Sequence, residues 1–207
     1  MIKLARSEIE PEAVRSEQEQ FLSDPSTDAR LVEEVRRGHR ESFGVLVGRY
    51  EKKLQRVLRR LVRDPEQARD LAQETFMRVY QHLERFDTSR RFGPWLFRCG
   101  MNLAVDWLRR RRPSVQLGPS HSEDEHSIEA IEPDPRPQIE LAQEVQLVLQ
   151  QIPVNYRTVL ILRDLEGFSC SEVAAIEGRR EATIRWRLSR AREMFRQIWE
   201  RRQGTGR

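Results

Sequence analysis

Lysine is nearly missing from this 207-residue chain, occurring only as Lys3, Lys52 and Lys53, so arginine supplies almost all of its positive charge. Arginine's planar fork suits phosphate oxygens and base edges better than a point-like ammonium does. A basic helix face can equally be plain solvated surface, so position has to decide. Net charge is only +4 although 34 % of residues are charged, which again moves the question to distribution. Cysteine is scarce too. Cys99 and Cys170 lie far apart, each inside an amphipathic pattern, which excludes a disulfide framework or cysteine-rich metal site and suits a reducing cytosol. No run approaches the roughly 20 apolar residues of a membrane helix. The opening MIKLARSEIEPE meets acidic residues before any apolar stretch, so no secretory signal is expected. His39, His82, His121 and His126 are scattered and no glycine-rich phosphate loop occurs, so neither a metal, nor a cofactor, nor catalysis is expected. Strand signals are nearly absent: there is no sustained alternation and no Asn-Gly or Asp-Gly turn. A soluble, cytoplasmic, all-α protein is the expectation.

Composition divides what is present into four zones. Residues 1–26 form a polar extension. Residues 27–112 are dense in helix formers. Residues 113–137 hold five prolines with Glu123, Asp124, Glu125, Glu129, Glu132 and Asp134, and read as an extended acidic linker unable to bury a core. Helical pattern resumes over 138–202. The plan is two small helical modules and a linker.

In the first module Asp64-Pro65-Glu66-Gln67 predicts an N-cap, a proline at the first helical position and a capping-box partner. Ala72, Phe76, Val79, Leu83 and Phe86 then draw one apolar stripe, with Asp70, Gln73, Glu74 and Gln81 turned away. After the polar loop Asp87–Arg91 comes another helix. Phe92, Leu96, Cys99, Leu103 and Trp107 fall on one side, and Arg98, Asn102, Asp106 and Arg109 on the other. It closes in Arg109-Arg110-Arg111-Arg112, more arginine than the helix dipole needs.

The second module is more specific. Leu141, Val145, Val148 and Ile152 make one stripe, ended by Pro153. Tyr156, Val159, Leu160 and Leu162 belong to a second helix stopped by Gly167. Ser169-Cys170-Ser171-Glu172 reads as a capping box opening a short helix through Ala175. Gly178 turns the chain into a longer helix from about Glu181, with Ile184, Leu188, Ala191, Phe195 and Ile198 inward. Short capped helix, glycine turn, longer helix is a helix-turn-helix layout, whose second helix enters the major groove. Its outward set is Arg180, Glu181, Thr183, Arg185, Trp186, Ser189 and Arg190. Arginines there suit guanine edges or phosphates.

Asp70-Leu71-Ala72-Gln73-Glu74-Thr75-Phe76, Phe92-Gly93-Pro94-Trp95-Leu96-Phe97-Arg98 and Asn102–Arg109 resemble region two of the extracytoplasmic-function sigma factors of the sigma-70 family. Ile152-Pro153 through Gly167, Ser169, Glu172-Val173-Ala174 and Thr183–Arg192 resemble region four. The resemblance implies a sigma factor that binds core RNA polymerase, directs it to promoters and helps melt the minus-ten element. It assigns Asp70, Gln73 and Glu74 to the clamp coiled coil of polymerase's largest subunit, and region four to the flap of the second-largest.

The minus-ten role falls on Phe86, Arg90, Arg91, Trp95, Arg98, Asn102, Asp106, Arg109 and Arg110. For any single one of Phe86, Trp95 and Phe92, a place in the core is the better reading. Single-stranded DNA needs a positive groove with aromatic or shaped pockets, which these side chains offer. The outward set of the last helix would read the minus-thirty-five duplex. Partners so implied are core polymerase, promoter DNA both duplex and single-stranded, and an anti-sigma factor. Two departures stand out: bulky Trp186 on the recognition helix, and Arg179-Arg180-Glu181-Ala182 before it. The alternative is a stand-alone helix-turn-helix regulator, which leaves the Asp70 face and the Arg-aromatic helix without a task.

Overall fold

The computed structural model describes residues 25–111 and 136–204. The polar extension and the acidic linker lie almost wholly outside these. Among the described residues every regular element is helical, and the protein is all-α.

The first four helices are α1 (Pro25–Arg36), α2 (Glu41–Val62), α3 (Pro65–Gln81) and α4 (Phe92–Arg110). Their boundaries follow local chemistry. Asp64 accepts from the backbone N–H of Gln67 at 3.0 Å, capping α3 just before Pro65. The stripe expected on α3 is buried through Val79, but α3 stops at Gln81, and Leu83 and Phe86 reach the core from a 3-10 turn at Leu83–Arg85 and its C-cap. Spacing alone cannot separate a 3-10 turn from continued α-helix over three residues. On α4 the expected inward set faces the core, joined by Phe97, Met101 and Ala104, and Gly100 sits where a Cβ would meet Leu54 at 2.9 Å. Glycine there lets α4 close onto α2.

The second set is α5 (Arg136–Gln151), α6 (Val154–Leu160), α7 (Cys170–Glu177) and α8 (Glu181–Gly204). Helix α6 runs on into a π turn at Ile161–Leu165 that the apolar spacing did not reveal. Its Glu166 N–H reaches back to the Ile161 carbonyl. The extra residue in the turn buries Ile161, Leu162, Asp164, Leu165 and Glu166 together. Ser169 and Glu172 form the expected capping box: Ser169 N–H donates to Glu172 Oε2 at 2.8 Å, and Glu172 N–H to Ser169 Oγ at 3.1 Å. Helix α7 runs to Glu177, two residues beyond the sequence reading, and Gly178 takes the left-handed conformation with φ 62°. Asp164 locks α8 in place through a two-pronged pair with Arg192, at 2.6 and 2.8 Å.

The two helical sets share one continuous hydrophobic core. Phe168 is the hinge of this packing: its ring meets Phe97 of α4 at 4.9 Å, and Lys53 of α2 lies 4.1 Å from its centroid. The expectation of two separate modules omitted this contact. Helical periodicity shows which face is buried, not against what.

Candidate polymerase and nucleic-acid interfaces

Three outward surfaces carry the residues singled out in the sequence. On α3, Asp70, Gln73 and Glu74 are exposed, one turn apart on a single face. Glu74 is partly neutralised by Arg78, 2.6 Å away and one turn on. Beside this face opens an apolar groove of about 590 Å³ between α2 and α3, lined by Phe43, Val47, Phe76, Met77 and Tyr80. Met77 is 57 % exposed, so apolar surface borders the acidic residues. That groove was not legible from α3's stripe, because half of it comes from α2.

The second surface surrounds the start of α4. Asp87 organises the loop: its carboxylate accepts from the N–H and hydroxyl of Ser89, and from Arg90. The Ser89 bonds, chiefly the hydroxyl's, hold the Asp87 carboxyl below its ordinary range. Arg90, Arg91, Arg98, Asn102, Asp106, Arg109 and Arg110 are all exposed. Trp95 is half-buried and stacks against Phe86 with centroids 4.8 Å apart. Phe86 itself is 4 % exposed and touches Phe92 as well. The ring is thus part of the core and backs Trp95, while Phe86 also borders the groove at the start of α4. Its place at the end of an apolar stripe was the signal for this. Arg85, Arg90, Arg91, Trp95 and Arg98 line a groove of about 710 Å³, positive and aromatic as an unstacked base requires.

One residue in this surface's support was missed by the sequence reading. Arg36, the last residue of α1, donates Nη2 to the carbonyls of Leu83 at 2.8 Å, Glu84 at 3.1 Å and Phe86. These carbonyls lie at the end of the 3-10 turn, where the Leu83 carbonyl also accepts the N–H of Phe86. No local pattern announces a bond across 47 residues.

The third surface is the outer face of α8. Arg180, Arg185, Trp186, Ser189 and Arg190 are exposed, and Glu181 and Thr183 are half-buried at its start. Glu181 pairs with Arg185 at 2.6 Å, which holds that guanidinium in a fixed direction. Trp186 is 62 % exposed, and the tilted ring of Tyr156 lies 6.2 Å away between centroids.

The junction between the helical sets lies between the second and third surfaces. Glu166, whose side chain is wholly buried, accepts from Arg56 Nε at 3.0 Å and Arg60 Nη1 at 2.7 Å, both on α2. Arg91 donates to Glu172 at 2.8 Å. Arg63 reaches Gln150 at 2.7 Å, and Gln146 reaches the Arg60 carbonyl at 2.7 Å. Ser171, Glu172 and Ala175 of α7 form the far wall of the Arg-aromatic groove.

Comparison with known proteins agrees with this geometry. Residues 46–113 match the family model for sigma-70 region 2, and residues 142–195 match that for sigma-70 region 4. The chain is a member of the sigma-70 family. It belongs to the extracytoplasmic-function group. It is 35 % identical to the RNA polymerase sigma-H factor of Pseudomonas aeruginosa, over 80 % of this chain and 90 % of that protein. It is 33 % identical to the ECF RNA polymerase sigma-E factor of Escherichia coli K12, over 83 % of this chain and 94 % of that protein. Among solved structures it is similar to CnrH in complex with the cytosolic domain of CnrY. That likeness has a TM-score of 0.66 and 27 % identity, and covers 84 % of this chain and 98 % of that one. As a sigma factor the protein binds core RNA polymerase and directs it to promoters, and a stand-alone regulator is not favoured. Among the described residues no helix is long and apolar enough to cross a membrane.

Proposed function

We propose that the three surfaces divide the work of promoter-directed initiation. Asp70, Gln73 and Glu74 dock on the clamp coiled coil of the largest polymerase subunit, with the apolar groove beside them enlarging the contact. Arg90, Arg91, Trp95, Arg98, Asn102 and Asp106 hold the melted minus-ten strand, and Arg109 and Arg110 hold the adjoining duplex phosphates. Arg180, Glu181, Thr183, Arg185, Trp186, Ser189 and Arg190 read the minus-thirty-five duplex, while the second module rests on the flap of the second-largest subunit. The domain limits are those of the sequence: extension 1–26, region two 27–112, linker 113–137, region four 138–202. The chain acts in the cytoplasm, without catalysis of its own, under an anti-sigma partner. That CnrH is seen with a second protein supports such control of this chain.

The observation that carries this reading is the Arg-aromatic groove at the start of α4, with Asn102 exposed one turn beyond Arg98. The test is reconstituted transcription with core polymerase on a library of genomic fragments. Starts clustered behind one two-part motif support the reading. Tight, sequence-specific binding to duplex by the chain alone, unchanged by core enzyme, would replace it with the stand-alone regulator.

A further inference from the structure

Trp95, the aromatic side chain of the groove at the start of α4, rests on two rings. Phe86 lies 4.8 Å away between centroids and Phe92 5.9 Å. Each backing ring is held by α1, from opposite ends of that helix. At its last residue, Arg36 donates to the carbonyl of Phe86. Near its start, Asp28 accepts a hydrogen bond from the hydroxyl of Tyr50 on α2. The Tyr50 ring in turn lies 5.6 Å from that of Phe92. Backbone approaches the same ring: a Cβ on Gly93 would stand 3.2 Å from Tyr50 Cε1 and 3.3 Å from its hydroxyl oxygen. The first turn of α4 is therefore seated directly against Tyr50.

Packing alone does not call for tyrosine here. Tyr50 and Asp28 are both buried. A buried carboxylate needs partners, and α2 gives Asp28 two: the Tyr50 hydroxyl and the Arg49 guanidinium. Phenylalanine facing an apolar residue would fill the same space without desolvating a charge. What the polar pair adds is direction, since a hydroxyl bonded to a carboxylate fixes the place of its ring in the core. Burial, and then the Asp28 charge, raise the Tyr50 hydroxyl well above the ordinary phenol value, so it remains a donor. Arg91 is near enough to act on that hydroxyl electrostatically, in the opposite sense.

We propose that Tyr50, oriented by Asp28, is a positioning residue for minus-ten opening, seating Phe92 and Gly93 so that Trp95 is held ready for an unstacked base. The inference rests on the minus-ten role proposed above for the groove. Neither Tyr50 nor Asp28 lines that groove, so both act through the residues they seat. Asp28 also precedes the residues that match the sigma-70 region 2 model, so that match assigns it no role. With Arg36 at its other end, α1 becomes the strut that fixes both rings behind Trp95.

The test uses holoenzyme assembled from core polymerase and the full chain, on a promoter recovered by the library experiment. A fluorescent base in the minus-ten strand reports opening. Tyr50→Phe should bind core as tightly as the wild type. It should slow opening about three- to tenfold, part of the worth of one base stacked on an aromatic ring. Asp28→Ala should do the same, and Asp28→Asn, which keeps an acceptor for the hydroxyl, should recover part of the rate. Two measurements separate positioning from mere loss of stability. Val57→Ala, a truncation of a fully buried side chain further along α2, should lower the melting temperature without slowing opening where the chain is folded. In a Trp95→Ala background, itself slow to open, Tyr50→Phe should add less than about twofold, because the side chain it positions is gone. Full multiplication of the two effects overturns the inference. So does equal slowing by Val57→Ala, a parallel fall in core affinity, or wild-type opening in Tyr50→Phe. Wild-type opening in Trp95→Ala would instead refute the minus-ten role of the groove beneath it.

Discussion

The Arg36 guanidinium donates to the Leu83 carbonyl at 2.8 Å, tying the end of α1 to the turn that launches the Asp87–Arg91 loop. The same nitrogen also serves Glu84 and Phe86, while Nη1 is steered by Glu33 at 2.7 Å. One side chain thus ties down three carbonyls of the 3-10 turn and its C-cap. Replacing Arg36 with Ala should cost about 2 kcal/mol, the scale of losing a charged donor to buried acceptors. At this chain length that corresponds to a fall of roughly 4–8 °C in melting temperature. Arg36→Lys should recover part of it, since an ammonium has three donors but no planar fork. Circular dichroism melts measure the fall. Promoter opening, followed by a fluorescent base in the minus-ten strand, should drop in Arg36→Ala more than core binding does.

Asn102 stands on the exposed face of α4 one turn past Arg98, without structural duty among the described contacts. Asn102→Ala should leave the melting temperature within about 2 °C, as for other surface changes. It should also leave affinity for core polymerase unchanged. Discrimination at one minus-ten position should fall by the worth of a good paired hydrogen bond, about 1–3 kcal/mol. Abortive-initiation assays on promoters varied at each minus-ten base provide the check. Equal losses across all bases would mean that Asn102 contacts backbone rather than a base.

Much of this was readable before the coordinates, for reasons that lie in particular residues. The Asp64 cap, the Ser169–Glu172 box and the Gly178 turn are local, and local chemistry is printed in consecutive letters. The inward and outward sides of α4 follow from its period alone. What was not legible is long-range: Arg36 on the Leu83 carbonyl, Arg56 and Arg60 on Glu166, and Phe97 against Phe168. An acidic residue before a glycine, such as Glu166, looks like loop surface until α2 is laid over it. Phe86 was readable in two ways. Its aromatic ring suits a base-stacking role, but its register on the stripe put it inside, and register prevailed.

Glu177 closes α7 and is half-buried, with Arg187 3.3 Å away. Burial pushes its carboxyl above the ordinary value, and Arg187 pulls only part of the way back. A carboxylate in the last turn also opposes the helix dipole. The folded state therefore binds this proton more tightly than the unfolded one. Its contribution is favourable below the ordinary carboxyl range and is lost as pH rises through the raised folded value. Glu177→Gln should then match or exceed the wild type at pH 7.5, by up to about 1 kcal/mol, or roughly 2–4 °C. The gain should shrink toward pH 4.5. Thermal melts at both pH values decide this. A clear loss at pH 7.5 would show that the pair with Arg187 outweighs desolvation.

Trp186 makes the strongest statement about DNA. An indole 62 % exposed, with the tilted ring of Tyr156 6.2 Å away, contributes little to the core. Trp186→Ala should accordingly leave stability within about 0.5 kcal/mol. On a minus-thirty-five duplex it should weaken binding by about 1–3 kcal/mol if it meets a thymine methyl or base edge in the major groove. Arg190, on the same face, pairs with Glu193 one turn on, at 2.7 Å. If it holds a phosphate, Arg190→Ala should weaken all sequences alike and reduce the slope of log affinity against log salt by about 0.9. The two variants therefore separate in one experiment, titration of holoenzyme onto matched and mismatched duplexes at several salt concentrations. Trp186→Ala should change the ratio between sequences and leave the salt slope alone, whereas Arg190→Ala should do the reverse. A salt slope altered by Trp186→Ala would mean that the indole acts by ordering its arginine neighbours, not by touching bases.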